Sequence, residues 1–415
     1  MIPASEAPEP SALAFTYPRF RFFWVTTLCG SFAAQIMSVA VGWQIYDLTG
    51  EAYLLGLVGL AQFMPALMLV LVTGLAADKF PRRRIIQIAF TVEVGCAVAL
   101  FLLAGAQAHE VWPIFVVLVV LGMARAFVGP ASSSLAPNIV PPQALANAIS
   151  MNVTAWQLAS ILGPVAGGLL YGLGPTVPFG TAGVLALLAV VSIGFVRQPA
   201  QKVSDQETSL DTLLAGFRYI WHEKVVLGAI SLDLFAVLMG GAVALMPIFA
   251  KDILEVGPEG LGLLRAAPGI GAIVTALWLA RFPIRDRAGI VLFIFVAGFG
   301  FFTLCFGLST SVWLSIPLLA LIGACDMVSV SIRETIMQLW TPDRVRGRVN
   351  AVNSVFIGAS NELGEFRAGM MAAVIGAQAA VVFGGAATVA VAGIWSRAFP
   401  GLRRQGRIDR RMVEG

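Results

Sequence analysis

Charged side chains that interrupt long apolar runs are the first residues in this sequence whose types suggest chemistry. A charge inside hydrocarbon costs roughly 3 kcal/mol or more unless it is paired or hydrated. Proton transfer, ligand binding and pairing between helices are the roles that we consider for such residues. The seven that stand clearly inside apolar runs are Glu93, Arg125, Asp233, Arg265, Asp326, Glu362 and Glu365.

The composition explains why these charges are exceptional. Hydrophobic residues make up 58% of the 415 residues, charged residues only 12%, and the mean hydropathy is +0.86. A soluble domain cannot bury so much apolar surface, because its outside must be solvated. The apolar runs are about 20 residues or longer, as membrane-spanning helices require, and they lack the alternation of barrel strands. We therefore predict an all-α integral membrane protein.

Other kinds of chemistry have little support in the sequence. The four cysteines stand singly in apolar runs and the two histidines lie in separate connections, so we expect neither a disulfide framework nor a metal centre. No nucleophile–base pair or phosphate loop is apparent, which predicts no enzyme and no cofactor. The net charge of +4 is dispersed among loops, which argues against nucleic acid as a partner. The first residues do not resemble a cleavable signal, so we expect them to be retained.

Polar residues divide the apolar runs into twelve predicted transmembrane helices. An even number of spans puts both termini on one side of the membrane. The stretch 197–223 separates two groups of six helices. The predicted helices cover 20–48, 52–77, 84–105, 111–134, 143–172, 175–196, 224–251, 257–281, 287–308, 311–336, 345–373 and 376–397.

The distribution of Lys and Arg predicts which side of the membrane holds the termini. Cations concentrate before the first helix, after even-numbered helices and in the tail, whereas the opposite connections carry only Lys251. We count Arg333, near the end of the tenth helix, among the cations that follow even-numbered helices. Because cytoplasmic connections carry an excess of Lys and Arg, both termini and the central connection are predicted to be cytoplasmic.

The central connection also has a helical pattern. Ser204 to Glu207 resembles a capping box, and the apolar residues that follow recur at helical spacing. This predicts an amphipathic helix on the membrane surface. The predicted organisation is a six-helix bundle over 1–196, a cytoplasmic linker over 197–223, a second six-helix bundle over 224–397 and a basic cytoplasmic tail over 398–415.

The two halves repeat each other in sequence. The stretch "TGLAADKFPRRR", from Thr73, lines up with "TALWLARFPIRD", from Thr275. Further along, Gly122 matches Gly323 at an offset of about 201 residues, and other positions match at the same offset. With an even number of spans between them, the halves are parallel repeats about an axis normal to the membrane. Secondary transporters are commonly built in this way, with the substrate between the halves.

The stretch "GLAADKFPRR" is spaced like the signature that the major facilitator superfamily carries between helices 2 and 3. In this sequence Lys79 replaces the usual Arg of that signature, and Pro81 replaces the usual Gly. The chain resembles this superfamily over essentially its whole length. The residues that match the signature, and that the resemblance implicates in gating, are Gly74, Asp78, Lys79, Arg82 and Arg83.

Two further motifs follow in the order that this superfamily has them. Arg125 and Gly129 in helix 4 are similar to the motif associated with proton coupling. The stretch "YPRFRFFW" and the connection that begins "TPDRVRGRVN" resemble the bacterial siderophore-exporter (enterobactin-exporter-like) branch. The resemblance implies two six-helix bundles, alternating access and proton-driven efflux. A motif in helix 5 is similar to one typical of exporting antiporters, and it comprises Gly163, Pro164, Gly167 and Gly168.

Asp78 needs an explanation beyond topology, because an acid contributes nothing to an excess of cations. Gly74 permits the close approach of another helix, and the N-terminus of helix 11 near Asp343 favours an anion. We predict that Asp78 accepts hydrogen bonds there and latches the halves on the cytoplasmic side. Arg82 and Arg83 are expected to hold Asp78 in place.

Depth in the membrane sorts the intramembrane charges. Arg125, Asp233 and Asp326 each stand about ten residues from a helix end, which at 1.5 Å per residue places them near one level. The resembled fold lines its cavity with helices 1, 4, 7 and 10, which predicts one proton-coupling cluster of these three residues. Burial favours a protonated carboxyl and a nearby Arg favours the carboxylate, so movement of Arg125 would switch proton affinity.

The remaining charges and polar residues allow further predictions. Arg265 matches Glu362 or Glu365 in depth, which predicts an ion pair between helices 8 and 11. Glu93 stands on a peripheral helix and receives no role. Pro164 removes a backbone hydrogen bond and is expected to kink helix 5. Side chains that suit a partly aromatic ligand in the cavity are Gln35, Trp43, Gln44, Trp156 and Gln157.

The leading hypothesis is a secondary active transporter that exports a small amphipathic organic molecule, such as a siderophore or drug, by proton antiport and alternating access. We expect a monomer in the bacterial inner membrane, with protons, the substrate and the lipid bilayer as its partners. A lysolipid flippase and a non-transporting membrane receptor are the alternatives that the sequence leaves open.

Overall fold

The computed structural model describes residues 13–106, 110–197, 217–284 and 286–406. Within these ranges there are twelve long helices and no strand, and the predicted all-α membrane architecture is confirmed. The helices are α1 (Pro18–Thr49), α2 (Ala52–Lys79), α3 (Arg82–Gly105), α4 (Trp112–Ile139), α5 (Pro142–Leu173), α6 (Val177–Phe195), α7 (Lys224–Gly240), α8 (Gly257–Arg281), α9 (Ala288–Leu308), α10 (Val312–Trp340), α11 (Asp343–Ile375) and α12 (Ala377–Ala398).

Eleven helical segments in the described residues are long and apolar enough to cross a membrane. One of these segments, Lys224–Ile253, consists of α7 together with the turns that follow it. The helix that does not qualify is α11. With 33 residues it is long enough, but charged side chains lie in both its first and its second half. It packs against α2, α7 and α12, so the fold places this charged helix among others.

Proline and glycine set several helix boundaries. A proline stands in the first turn of α1, α4, α5, α6 and α8, where its missing N–H would have no helical partner in any case. Gly50 ends α1 in the left-handed region, at φ 67°, and Gly376 separates α11 from α12 at φ 84°. A residue without Cβ adopts these angles at little cost.

The two six-helix bundles, α1–α6 and α7–α12, meet along two seams, α2 against α11 and α5 against α8. Glycines allow the helix backbones to approach there. A methyl group added to Gly168 would lie 3.1 Å from the backbone nitrogen of Gly262, and one added to Gly56 would lie 3.0 Å from Cα of Phe366. Small residues at such crossings let membrane helices gain van der Waals contact.

The end of the molecule opposite the termini, here called the far end, joins the two bundles through polar contacts. Lys251 Nζ lies 2.6 Å from Asp47 Oδ1, and the Tyr46 hydroxyl donates to the Asp252 carboxylate. At the termini end, by contrast, a methyl group added to Gly74 would meet no atom of the described residues within 4 Å outside its own stretch of helix. The far end is therefore held together, and the surface around Gly74 is open.

The seventh span departs from its prediction. One continuous helix was expected over 224–251, but α7 ends at Gly240 and the chain resumes as short turns that include a π-helix over Phe249–Ile253. The last carbonyls of a helix lack helical partners. Arg367 of α11 donates from Nε to the Leu238 carbonyl at 2.9 Å and from Nη2 to the Met239 carbonyl at 2.5 Å. The guanidinium thus satisfies the end of α7 inside the membrane.

The last described turn, Pro400–Arg403, packs back onto the C-terminal bundle. The backbone N–H of Ala288 donates to the Gly406 carbonyl at 3.2 Å, and that of Gly289 donates to the Gln405 carbonyl at 3.1 Å. Leu402 and Gln405 are buried. This segment caps the start of α9.

Parts of the predicted organisation lie outside the described residues. They are 198–216, which holds most of the linker and of its predicted amphipathic helix, and the tail from 407 onward. Residues 217–222, at the end of the predicted linker, are helical. The exact boundaries of the bundles, the linker and the tail remain predictions.

Candidate functional site

A cavity of about 670 Å³ lies inside the N-terminal bundle, between α1, α3, α4 and α5. Its wall combines aromatic rings, Phe23 and Phe90, with hydroxyl and amide groups such as Thr27, Ser31 and Asn152. The α1 residues that line it come from the first half of that helix, so the cavity lies towards the termini end. A mixed wall of this kind suits an amphipathic organic molecule. We call it the bundle cavity.

An ion pair stands in the wall of the bundle cavity. Arg125 Nη2 lies 2.7 Å from Glu93 Oε1, and Arg125 Nη1 donates to Gln62 Oε1 at 3.2 Å. Glu93 is only 2% exposed, and a carboxylate so buried requires a cation or a proton. Glu93, to which sequence reasoning gave no role, is therefore the partner of Arg125.

A second cavity, of about 240 Å³, lies where the two bundles meet, and we call it the seam cavity. Ala34 and Arg125 line both cavities and so form the partition between them. The C-terminal bundle contributes Arg265, Glu362 and Glu365 to the seam cavity. One arginine from each half and two carboxylates thus face a common polar space.

The contacts of Arg265 cross the seam. Its Nη1 donates to Ser38 Oγ of α1 at 3.0 Å, while Glu365 attracts its charge. Glu362 and Glu365 stand one turn apart on α11 and repel each other. Both face α2 at Gly59, where an added methyl group would lie 3.4 Å from Glu365 Oε2. The structure thus brings Arg265 together with both of its predicted partners, Glu362 and Glu365. The hydrogen bond of Arg265 to Ser38 ties this group to the N-terminal bundle.

A third charged group lies within the C-terminal bundle. Arg333 Nη1 lies 2.5 Å from Asp233 Oδ2, and the two residues are 7% and 8% exposed. Asp326 stands two turns before Arg333 on α10 and interacts electrostatically with both. Arg333 was expected among the cytoplasmic cations, but α10 continues to Trp340, so the residue lies inside the bundle and that expectation was wrong.

The predicted grouping of Arg125 with Asp233 and Asp326 is absent from this conformation. Arg125 turns towards α2 and α3 of its own bundle, while Arg333 pairs with Asp233 and attracts the charge of Asp326. Equal depth does not fix the direction of a side chain around its helix. A signal for Arg333 was available, because residues seven apart, such as Asp326 and Arg333, lie on the same helix face.

Comparison with known protein families gives a match over residues 11–405, to the transmembrane secretion effector family. This chain belongs to that family. The enterobactin exporter EntS of Shigella boydii serotype 4 (strain Sb227) is 27% identical over 354 residues, which cover 82% of each chain. EntS of Escherichia coli O1:K1 / APEC shows the same identity and coverage.

Solved transporters share the fold. A bacterial homologue of the human lysosomal transporter Spinster, in an inward-facing and unoccupied conformation, superposes with a TM-score of 0.72 at 14% identity, covering 93% of this chain and 95% of that one. A D-xylose–proton symporter gives a TM-score of 0.72 at 15% identity, covering 92% and 98%. The chain is a multi-pass transporter of the major facilitator superfamily, as its resemblance predicted, and its relatives and fold neighbours are transporters and not enzymes.

The predicted cavity residues of the transporter separate into two sets. Gln35 lines the seam cavity. Trp43 and Gln44 are buried and line neither of the two cavities, contrary to expectation. Trp43 packs edge-on against Tyr171, with ring centroids 6.4 Å apart. Trp43 and Gln44 line neither cavity because they stand near the end of α1, where the bundles are joined at the far end.

The signature between α2 and α3 organises the termini end of the transporter. Arg82 donates from Nε to the Ala77 carbonyl at 3.2 Å and from Nη1 to the Ser134 carbonyl at 2.6 Å, which ties this connection to α4. Lys79 is exposed. The space around Gly74 is open in this conformation as far as the described residues show. The side chain of Asp343 lies outside the described residues, and the latch that Asp78 is expected to form remains a prediction, as does the role of Arg83.

The glycines of the helix 5 motif pack against two partners. A methyl group on Gly163 would lie 2.5 Å from Gln35 Cβ, and one on Gly167 would lie 3.2 Å from Cα of Ile36, both on α1. Gly168 faces α8 across the seam. Pro164 is buried inside α5. Close packing accounts for the glycines, and a kink at Pro164 that biases the opening of the cavity remains a prediction.

Proposed function

We propose that this transporter exports a small amphipathic organic molecule, such as a siderophore or drug, in exchange for protons. The observation that carries the proposal is the bundle cavity, which combines aromatic rings, hydroxyl groups and an arginine–carboxylate pair whose carboxylate is buried. The 27% identity to enterobactin exporters supports a siderophore as the substrate class. The excess of Lys and Arg at the termini end supports placing that end in the cytoplasm of a bacterial cell, with the protein in the inner membrane.

The contacts between the bundles support alternating access. The far end is held by Lys251 with Asp47 and by Tyr46 with Asp252, while the surface around Gly74 is open. We take this as the conformation that receives substrate from the cytoplasm. In the opposite conformation the far-end contacts separate, and Asp78 closes the cytoplasmic end. A single chain contributes both walls of the seam cavity, which suits a monomer.

Substrate and proton occupy different groups in this proposal. Arg125 offers charge-assisted hydrogen bonds to oxygen atoms of a bound molecule, and Phe23 and Phe90 offer ring contacts. The proton is carried by a carboxyl group of the C-terminal bundle, where Asp233 and Asp326 share one arginine. A change of conformation that alters the distance between these acids and Arg333 changes their proton affinity.

The test is transport by the purified chain in liposomes with an imposed pH gradient, against a panel of siderophores, drugs and lysolipids. Ser31→Trp places a large ring in the bundle cavity and is expected to abolish accumulation. Leu188→Trp introduces the same ring on the exposed face of α6 and serves as the matched control, with accumulation unchanged.

Three results would overturn the proposal. Accumulation that is independent of the pH gradient removes the proton from the cycle. A preference for lysolipids over every other compound in the panel favours a flippase. Equal activity of Ser31→Trp and the wild-type chain moves the substrate out of the bundle cavity.

A further inference from the structure

Two apolar grooves run along the outside of the N-terminal bundle. One, of about 500 Å³, lies mainly between α3 and α4 towards the termini end. The other, of about 560 Å³, lies between α2 and α4 towards the far end. Met123 borders both. In a membrane each groove is covered by lipid, and the two differ in one chemical respect.

Among the described residues that line the α3–α4 groove there is one charged side chain, at the end where a lipid headgroup would lie. Arg84 stands in the first turn of α3 and is exposed, whereas Ile88, Val92 and Val120 continue the lining with apolar groups. At a rise of about 1.5 Å per residue, Ile88 and Val92 stand about 6 and 12 Å deeper than Arg84. The groove therefore leads from a cation at the membrane surface into the hydrocarbon region.

The neighbouring Arg82 shows what a structural arginine looks like in this connection, since its guanidinium binds the Ala77 and Ser134 carbonyls. The guanidinium of Arg84 has no hydrogen bond or ion pair with any residue that the structure describes. Its five donors remain available to a ligand. The α2–α4 groove offers no such group, because every residue of its lining is apolar.

We propose that the α3–α4 groove binds one anionic phospholipid, with an acyl chain along the groove and the headgroup phosphate on Arg84. A guanidinium binds phosphate oxygens through two parallel N–H donors, and basic pockets beside transmembrane helices hold anionic headgroups. The α2–α4 groove accepts acyl chains without a preference for the headgroup. The site lies outside both cavities, so it is independent of the transported substrate.

Native mass spectrometry of the full chain in detergent tests the proposal. The probes are phosphatidylglycerol and phosphatidylcholine with identical acyl chains. We expect one phosphatidylglycerol to be retained under activation that removes phosphatidylcholine, and Arg84→Gln to lower this retention by about tenfold, as the loss of a charge-assisted contact predicts. Arg397→Gln removes an exposed cation from the same end of the molecule, on α12, and is expected to change nothing.

A second pair of variants tests the acyl chain. Ile88→Trp fills the α3–α4 groove at an exposed position and is expected to reduce retention, whereas Met64→Trp fills the α2–α4 groove and is not. Equal losses in Arg84→Gln and Arg397→Gln would overturn the proposal. So would equal retention of the two lipids, or an unaffected Ile88→Trp. Displacement of the lipid by inorganic phosphate alone would assign the site to free phosphate instead.

Discussion

Each bundle pairs an intramembrane arginine with acids, and the two bundles do so in different ways. In the N-terminal bundle Arg125 faces one carboxylate, Glu93, and the pair lines a cavity of about 670 Å³. In the C-terminal bundle Arg333 binds Asp233 while Asp326 stands nearby, so two acids share one cation. The first group is balanced in charge and open to a ligand, whereas the second is deeply buried and has one acid in excess.

The repeat makes this difference informative. The spacing of about 201 residues that relates Gly122 to Gly323 also relates Arg125 to Asp326. The glycines keep the same task, since each lets α4 or α10 cross a neighbouring helix backbone closely. The charged positions beside them have opposite signs. Close packing is thus common to both halves, while the charges at the equivalent positions differ in sign.

The largest effect is expected from Arg125→Ala. Glu93 would remain buried without a cation, and breaking a buried pair costs about 3 kcal/mol in the free energy of unfolding. Export should fall below detection, because the cavity wall loses its charge. Chemical unfolding in detergent and pH-driven export in liposomes measure the two effects. Combining Arg125→Ala with Glu93→Gln should restore stability but not export. An Arg125→Ala variant as stable as the wild-type chain would contradict the pairing.

Asp326→Asn is expected to separate transport from stability. The Asp233–Arg333 pair remains, so the free energy of unfolding should change by less than about 1 kcal/mol. Uphill accumulation driven by pH should disappear, while downhill exchange continues, if the surplus acid carries the proton as proposed. The comparison variant is Asp233→Asn, in which Arg333 keeps Asp326 as a partner. If both variants accumulate substrate normally, the C-terminal group is structural and the contrast between the bundles fails.

Asp78→Asn is expected to have the smallest effect. It removes an anion from the predicted latch at the termini end and leaves Arg125 and Arg333 with their partners. Transport should slow by up to about tenfold, while the affinity for substrate stays within about twofold, because an interaction made in only one conformation affects rate more than binding. Flux and equilibrium binding measured on the same preparation decide this. Lost affinity together with unchanged flux would exclude a latch.

The sequence predicts the helices better than the site. Long apolar runs and their polar boundaries specify twelve helices, and even the charged α11 is recognisable from the repeat. The break in α7 is missed because two glycines and an apolar run do not distinguish a kink from a continuous span. Arg367 caps the end of α7 at that break. Its only signal in the sequence is its position, which is deeper in a predicted span than a loop arginine would stand.

The pairing of charges is harder to predict, for a geometric reason. Residue position gives depth along a helix, but the rotation of each helix decides which neighbour a side chain meets. Arg125 is at the depth of Asp233 and Asp326, yet it contacts Glu93 on the preceding helix. Trp43 and Gln44 have cavity-like chemistry and are packed at the far end instead. A pair on one helix face, such as Asp326 with Arg333, is the kind that sequence spacing can reveal.

The segment that follows α12 has a practical consequence for anyone who handles the protein. The carbonyls of Gln405 and Gly406 accept the first backbone N–H groups of α9, and Leu402 is buried beneath them. A purification tag or fluorescent fusion joined at Ala398 would therefore expose the start of α9 and uncover apolar surface. The same partner joined after Gly406 leaves that cap in place, so the choice of fusion point decides whether the purified protein keeps an intact C-terminal bundle.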